Sequence, residues 1–193
     1  MYKLIIASQN KGKIREISDI LHDKYEVCDM ASVGFTADVE ETGTTFEENS
    51  YIKAKAVYDF CRLPSLADDS GLIVEALDGA PGVYSARYAG IEHNDEKNID
   101  LLLKNLEGVK NRKAKFVTVA TLIDENGNTI VARGETYGEI LTERKGTNGF
   151  GYDPVFFSYD LNKSFGEATN AEKDEVSHRK RALTALLEKL QNK

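Results

Sequence analysis

Apolar positions along the chain recur in three patterns: short continuous runs, strict alternation, and a spacing of three to four. Lys3–Ala7 is a short apolar run with two isoleucines and predicts a buried strand. The polar stretch Ser8-Gln9-Asn10-Lys11-Gly12-Lys13 follows, and Ile14, Ile17, Ile20 and Leu21 then recur at helical spacing. Tyr25–Asp29 predicts a second strand, and residues 31–44 are irregular and acidic. Thr44 and Thr45 each stand three residues before a glutamate, forming two overlapping capping boxes. The helix they open is expected to run to about Cys61, with Phe46, Tyr51, Ile52, Val57, Tyr58 and Cys61 as its stripe. Leu66–Ala67 and Leu72–Val74 predict two strand segments around a tight turn at Asp68-Asp69-Ser70-Gly71.

Residues 78–90, rich in Gly, Ala and Tyr, predict a loop. Asp95–Leu106 has Ile99, Leu102, Leu103 and Leu106 on one helical face. Lys115–Ile123 and Thr129–Tyr137 are β-rich and flank Asn126-Gly127, a hairpin turn signal. A glycine-rich loop, Gly146–Gly151, precedes a strand at Val155–Phe157. One C-terminal helix is expected to start at Asp174 or Ser177, with Ala182, Leu183, Leu186, Leu187 and Leu190 buried. No internal repeat or linker interrupts the pattern, and the mixture is that of an α/β domain with at least one antiparallel hairpin.

Composition narrows the class. At 193 residues the chain fits one domain or two joined lobes, and 41% hydrophobic with 30% charged residues is ordinary for a globular protein. Net charge is −7, from 25 basic and 32 acidic residues, which argues against a nucleic-acid surface. A few local cations can still bind one anionic ligand. Cys28 and Cys61 form no CxxC pair and suit a reducing compartment as small buried residues. No apolar stretch reaches membrane-spanning length, and the run at residues 1–7 is shorter than a signal-peptide core. A cytoplasmic location and no membrane partner are expected.

Five segments carry candidate chemistry. Ser8–Lys13 places a hydroxyl, an amide and two lysines at a strand-to-helix junction, which suits phosphates although it is no Walker loop. Adjacent Asp68 and Asp69 oppose each other's ionisation unless a cation relieves them. Their oxygens suit Mg²⁺, and one carboxylate could take a proton from water. Taken alone, Asp68-Asp69-Ser70-Gly71 reads more readily as a solvated Asp-rich turn. Glu40-Glu41 is a second acidic pair. The loop from Gly146 to Pro154 combines close backbone approach with the flat faces of Phe150 and Tyr152. Lys173, His178 and Arg179 supply donors suited to a purine carbonyl or a phosphate.

In order along nearly the whole chain stand IIASQNKGKIREI, VEETGTTFEENSYIKAKA, LADDSGLIVEALDGAPGVYSARYAG, GTNGFGYDPVFF and EKDEVSHRKRAL. As an ordered set they resemble the inosine triphosphate pyrophosphatase family of nonstandard purine nucleotide hydrolases. The resemblance implies a single two-lobed α/β domain over residues 1–193, with a central mixed, twisted sheet and an active site in the cleft between the lobes. It implies hydrolysis of ITP, dITP and XTP to monophosphate and pyrophosphate, keeping them out of DNA and RNA. Mg²⁺ dependence and a homodimer are part of the same expectation. By match to the family motifs, Asp69 is the general base and a metal ligand. Glu40 is the second ligand, with Glu41 its close rival. Ser8, Gln9, Asn10, Lys11, Gly12 and Lys13 form the phosphate segment, and Ser70 is a substrate contact. Phe150, Gly151, Tyr152 and Asp153 form the base loop, completed by Lys173, His178 and Arg179. Gln9 and Asn148 stand where the family often has glycine.

Two other readings remain. The septum-formation-inhibitor type of nucleotide pyrophosphatase shares the fold but is expected to carry a Ser-Pro-Arg-Arg segment where this chain has Ser8-Gln9-Asn10-Lys11. A non-catalytic nucleotide sensor would not need Asp69 and its metal.

Overall fold

The computed structural model describes residues 2–90 and 94–191; Met1, which opens the first apolar run, lies outside them. Seven strands are hydrogen-bonded in the order β2-β1-β3-β4-β5-β6-β7. They are β1 (Tyr2–Ile6), β2 (Tyr25–Asp29), β3 (Ser65–Val74), β4 (Lys113–Ile123), β5 (Thr129–Ile140), β6 (Phe156–Ser158) and β7 (Lys163–Ser164). β1 runs parallel to β2 and β3, whereas β5–β6 and β6–β7 are antiparallel, so the sheet is mixed as expected. The helices are α1 (Lys11–Leu21), α2 (Phe46–Cys61), α3 (Asp95–Asn105), α4 (Asn170–Val176) and α5 (His178–Gln191).

The chain divides into two compact units. The first comprises Met1–Asp69, Thr118–Gly134 and Arg179–Lys193; the second comprises Ser70–Val117 and Glu135–His178. In the first unit, strand alternation sorts side chains onto two faces. Leu4, Ile6, Leu66, Ala120 and Leu122 pack with Ile17 and Leu21 of α1 and Ala182, Leu183 and Leu186 of α5. Their strand neighbours Ile5, Ala7, Ala67 and Ile123 pack instead with Ala54 and Val57 of α2. On that second face Ser50 of α2 is hydrogen-bonded to Thr121 of β4 over 2.7 Å.

In the second unit Leu72 and Val74 of β3 join Ile99 and Leu102 of α3 around a cluster containing Phe116, Phe156 and Phe165. The rings of Phe116 and Phe156 lie 4.6 Å apart, within the range of favourable aromatic pairing.

Three expectations change. Asp68-Asp69-Ser70-Gly71 is no turn: β3 is continuous and nearly wholly buried from Ser65 to Val74. The C-terminal helix α5 opens at His178, directly after Ser177, the later of its two expected starts; unexpected is the separate short helix α4, which opens at the capping box of Thr169 and Glu172 and ends where Ser177 takes extended backbone (φ −69°, ψ 150°). Cys28 and Cys61 are free thiols but only partly buried. Of the two overlapping caps before α2, Thr45 is the one that closes the box with Glu48.

Candidate active site

The first unit gathers a cluster of opposite charges around the middle of β3. Asp68 and Asp69 are 2% and 4% exposed, and alternation along the strand sends them to different partners. Asp68 faces the helices α1 and α5. Lys13 Nζ lies 3.3 Å from Asp68 Oδ2, and the Arg179 guanidinium donates to that oxygen from Nε (3.2 Å) and Nη2 (3.1 Å). Arg179 also pairs through Nη1 with Glu16; Arg179, Glu16 and Asp68 are buried, and Lys13 is partly so. Asp69 faces α2. Asn49 donates to its Oδ2 over 3.2 Å, and Lys53 Nζ lies 3.6 Å from its Oδ1 and 2.5 Å from Glu41 Oε1.

These partners are what let two neighbouring carboxylates sit inside a strand, since a buried charge is tolerated when paired and hydrogen-bonded. Burial raises the Asp69 pKa above the ordinary carboxylate value, and the Lys53 and Lys13 charges oppose the rise. Burial alone would push Lys53 down, but the Asp69 and Glu41 carboxylates outweigh it and its pKa is raised. For Lys13, burial dominates the Asp68 attraction and lowers the pKa.

The Ser8–Lys13 segment forms the N-terminus of α1 as expected. Asn10 is the N-cap: its side chain accepts from the Lys13 N–H (3.1 Å), and its own N–H donates to Ser8 Oγ (3.1 Å). Gln9 and Lys11 are exposed, and Gly12 is partly buried. The cap fixes the backbone so that Lys13 turns its ammonium toward Asp68.

The second unit holds the other candidates. Asp153 and Lys173 form a buried ion pair, Nζ to Oδ2 2.6 Å, and Asp153 Oδ2 also accepts from the Phe150 N–H (2.9 Å). The Lys173 ammonium stands 4.5 Å from the centre of the Phe150 ring, a cation–π distance. Gly151, at φ +58°, donates its N–H to Asp95 Oδ2 over 2.8 Å. Tyr152 departs from its expected role as a stacking face. Its ring is in the core, 5% exposed, its hydroxyl donates to the Ser85 carbonyl (2.8 Å), and burial pushes its pKa up. The partly exposed ring of this loop is Phe150. His178 is buried with its ring stacked on Phe116 at 4.8 Å. Ser70 is partly buried where the second unit begins. Asn148 keeps an ordinary backbone: among the described residues the non-glycine positive-φ positions are Arg62, Asp78 and Asn162.

Two observations bear on the expected roles. Arg179, expected among the base-reading donors, belongs to the carboxylate cluster of the first unit, held by Asp68 and Glu16. Glu40, the first choice for the second metal ligand, is exposed, whereas its rival Glu41 is tied through Lys53 to Asp69. Sequence reasoning missed Glu16, Asn49 and Lys53. Their signal is polar side chains spaced three or four residues apart on helices whose apolar stripes lie alongside: Lys13 with Glu16, and Asn49 with Lys53.

Asp69 and Glu41 are the oxygen donors that suit a divalent cation, since both already flank one positive charge, the Lys53 ammonium. Among the described residues no group of three or more His, Cys, Asp or Glu side chains is arranged around a metal position. Two carboxylates fit Mg²⁺, which takes one or two and completes its shell with water and phosphate oxygens.

A family model described as the Ham1 family matches residues 4–189. The chain is 48% identical over 191 residues to a dITP/XTP pyrophosphatase of Staphylococcus epidermidis, covering 99% of this chain and 97% of that one. It is 46% identical over 193 residues to a dITP/XTP pyrophosphatase of Haemophilus influenzae, covering 97% and 98%. Among solved structures, the Staphylococcus aureus Ham1 protein superposes with a TM-score of 0.89 at 42% identity, covering 98% of each chain. A HAM1 protein from Coxiella burnetii gives the same TM-score at 39% identity over the whole of both chains.

Proposed function

Because the chain belongs to the Ham1 family, we propose that it hydrolyses ITP, dITP and XTP to the monophosphate and pyrophosphate. The Staphylococcus epidermidis and Haemophilus influenzae relatives are named dITP/XTP pyrophosphatases, and the similarity to each runs over nearly its full length. The observation that carries the reading furthest is the Asp69 carboxylate, buried and gripped by Lys53 and Asn49 within one compact unit.

In this proposal Asp69 accepts a proton from the attacking water. Its burial favours the role, because a raised pKa brings a carboxylate nearer to the working pH of a base. Lys13 and Lys53 hold the triphosphate and the charge that develops on the leaving pyrophosphate. Asp69 and Glu41 are the proposed Mg²⁺ ligands, and bound Mg²⁺ would supply charge neutralisation at the phosphate oxygens. Phe150 offers a ring to the base.

Selectivity is proposed to rest on the base edge at positions six and two: guanine shares the six-carbonyl of hypoxanthine and xanthine but adds a two-amino group, which a pocket giving it no acceptor would penalise. At position six hypoxanthine and xanthine carry a carbonyl, and adenine an amino group. A donor facing that edge is left unpaired by adenine, at a cost of about 1–3 kcal/mol. His178 keeps this assignment, since Arg179 is engaged by Asp68 and Glu16.

No helix among the described residues is long and apolar enough to cross a membrane. A cytoplasmic homodimer completes the proposal on family resemblance, and light scattering after gel filtration tests the dimer.

The functional test is pyrophosphate release from ITP, XTP, ATP and GTP, each with Mg²⁺ and with chelator. Release from ITP and XTP far above ATP and GTP, lost with chelator, is the expected result. Equal release from all four would overturn the base-edge argument, and no release from any would overturn the activity.

A further inference from the structure

Asn49 lies on α2 and is wholly buried, an unusual place for a carboxamide unless both of its ends are satisfied. Both are. Its Nδ2 donates to Asp69 Oδ2 over 3.2 Å, and its Oδ1 accepts from the Gly43 N–H over 2.8 Å. Gly43 is a donor and Asp69 an acceptor, so only one orientation of the amide satisfies the two. Gly43 is two residues from Glu41, and its lack of a side chain lets the amide approach. A Cβ there would stand 2.6 Å from Asn49 Oδ1 and also 2.6 Å from Glu48 Cβ, so Gly43→Ala presses on the start of α2 as well as on the amide. One helical turn further on, Lys53 reaches the other oxygen of Asp69 and also Glu41. The helix is itself fastened to β4 by Ser50 and Thr121.

We propose that Asn49 is a positioning residue. Its carboxamide pins Asp69 at one end and the backbone of the Glu41 segment at the other, fixing the orientation of Asp69 and its separation from Glu41. The proposal rests on the pyrophosphatase reading of Asp69 and extends it to a buried residue that acts through Asp69 and the Gly43 backbone. Lys53 contributes charge to the same pair, while Asn49 contributes direction. A neutral amide can hold one carboxylate oxygen without neutralising the group.

Two variants test it from opposite sides. Asn49→Leu keeps the shape and removes both hydrogen bonds. Gly43→Ala leaves Asn49 chemically intact and displaces its oxygen. Each is expected to lower kcat for ITP by about 10- to 100-fold, the usual scale for a partner that orients a site carboxylate, with KM within about threefold of wild type. Far-UV circular dichroism and melting temperature report whether the fold is kept. As a readout independent of turnover, Mn²⁺ affinity followed by electron paramagnetic resonance of the free ion is expected to fall about tenfold in both variants. A kcat within about twofold of wild type in both overturns the proposal. So does a joint collapse of kcat, KM and melting temperature, which would mark Asn49 as a purely structural amide. If wild type itself releases no pyrophosphate, the functional reading fails instead. The Mn²⁺ measurement then decides alone, a loss of affinity keeping the pin and an unchanged affinity overturning it.

Discussion

Gly149 presses its left-handed backbone (φ +78°) against the Asp153 carboxylate, so closely that a Cβ would stand 2.8 Å from Asp153 Cγ and collide with Oδ2. That oxygen is the one held by Lys173 and by the Phe150 N–H. Gly149→Ala therefore strains the backbone and displaces a buried ion pair. It is expected to cost more than about 1 kcal/mol by denaturant unfolding and to weaken ITP binding, read as a raised KM.

Asp69→Asn keeps the volume of the side chain and removes its basicity. Turnover is expected to fall by roughly a hundredfold or more while circular dichroism stays unchanged. Near-normal turnover would remove Asp69 from the role of base.

Glu40 and Glu41 are neighbours with different surroundings. Glu41→Gln is expected to raise the Mg²⁺ concentration for half-maximal activity by at least about tenfold, a loss of roughly 1.4 kcal/mol. Glu40→Gln, at an exposed position, is expected to change it little. The reverse ranking, measured by Mg²⁺ titration of pyrophosphate release, would return the ligand to Glu40.

Arg179→Met strips the shared partner from Asp68 and Glu16, leaving two buried carboxylates with one cation fewer. Removing one member of such a buried group costs about 3–5 kcal/mol. Calorimetry should show a much lower melting temperature. A melting temperature close to wild type, together with a changed ITP-to-ATP preference, would restore Arg179 as a base reader.

Glu172 closes the cap of α4, the helix that carries Lys173. The Lys163 hydrogen bond, with the Thr169 backbone and hydroxyl, lowers its pKa from 4.5 to about 2. Because folded Glu172 releases its proton more readily than the unfolded chain does, its contribution is complete above about pH 4.5 and is lost as pH falls toward 2. Carboxyl-carbon NMR of labelled protein should give a midpoint near 2, and Lys163→Met should move it upward. An ordinary midpoint near 4.5 in wild type would refute the cap.

How far such features can be read from sequence depends on how local they are. The strand at Lys3–Ala7 and the cap at Thr45 were legible because a short apolar run and an S/T-x-x-E spacing act within a few residues. Asp68-Asp69-Ser70-Gly71 reads as a turn because each residue favours one. The strand prevails through Lys13, Arg179, Lys53 and Asn49, which arrive from three helices far along the chain. Ser177 was legible as a helix start because a serine ahead of an apolar stripe is a cap signal, whereas α4 before it is too short for a stripe to announce it. Asn49 lies in an ordinary helical stretch, and only the approach of Gly43 and Asp69 gives its amide a purpose.

Asp68 and Asp69 are adjacent in sequence yet belong to opposite faces of β3, one answering to α1 and α5 and the other to α2. Parity along the strand is therefore part of the site. A point substitution in β3 alters one side chain, but inserting or deleting a single residue ahead of Asp68 would exchange the two carboxylates between their partner sets and turn the apolar neighbours over with them. A replacement along β3 is thus felt at one partner set, whereas a change of length ahead of Asp68 disturbs both at once.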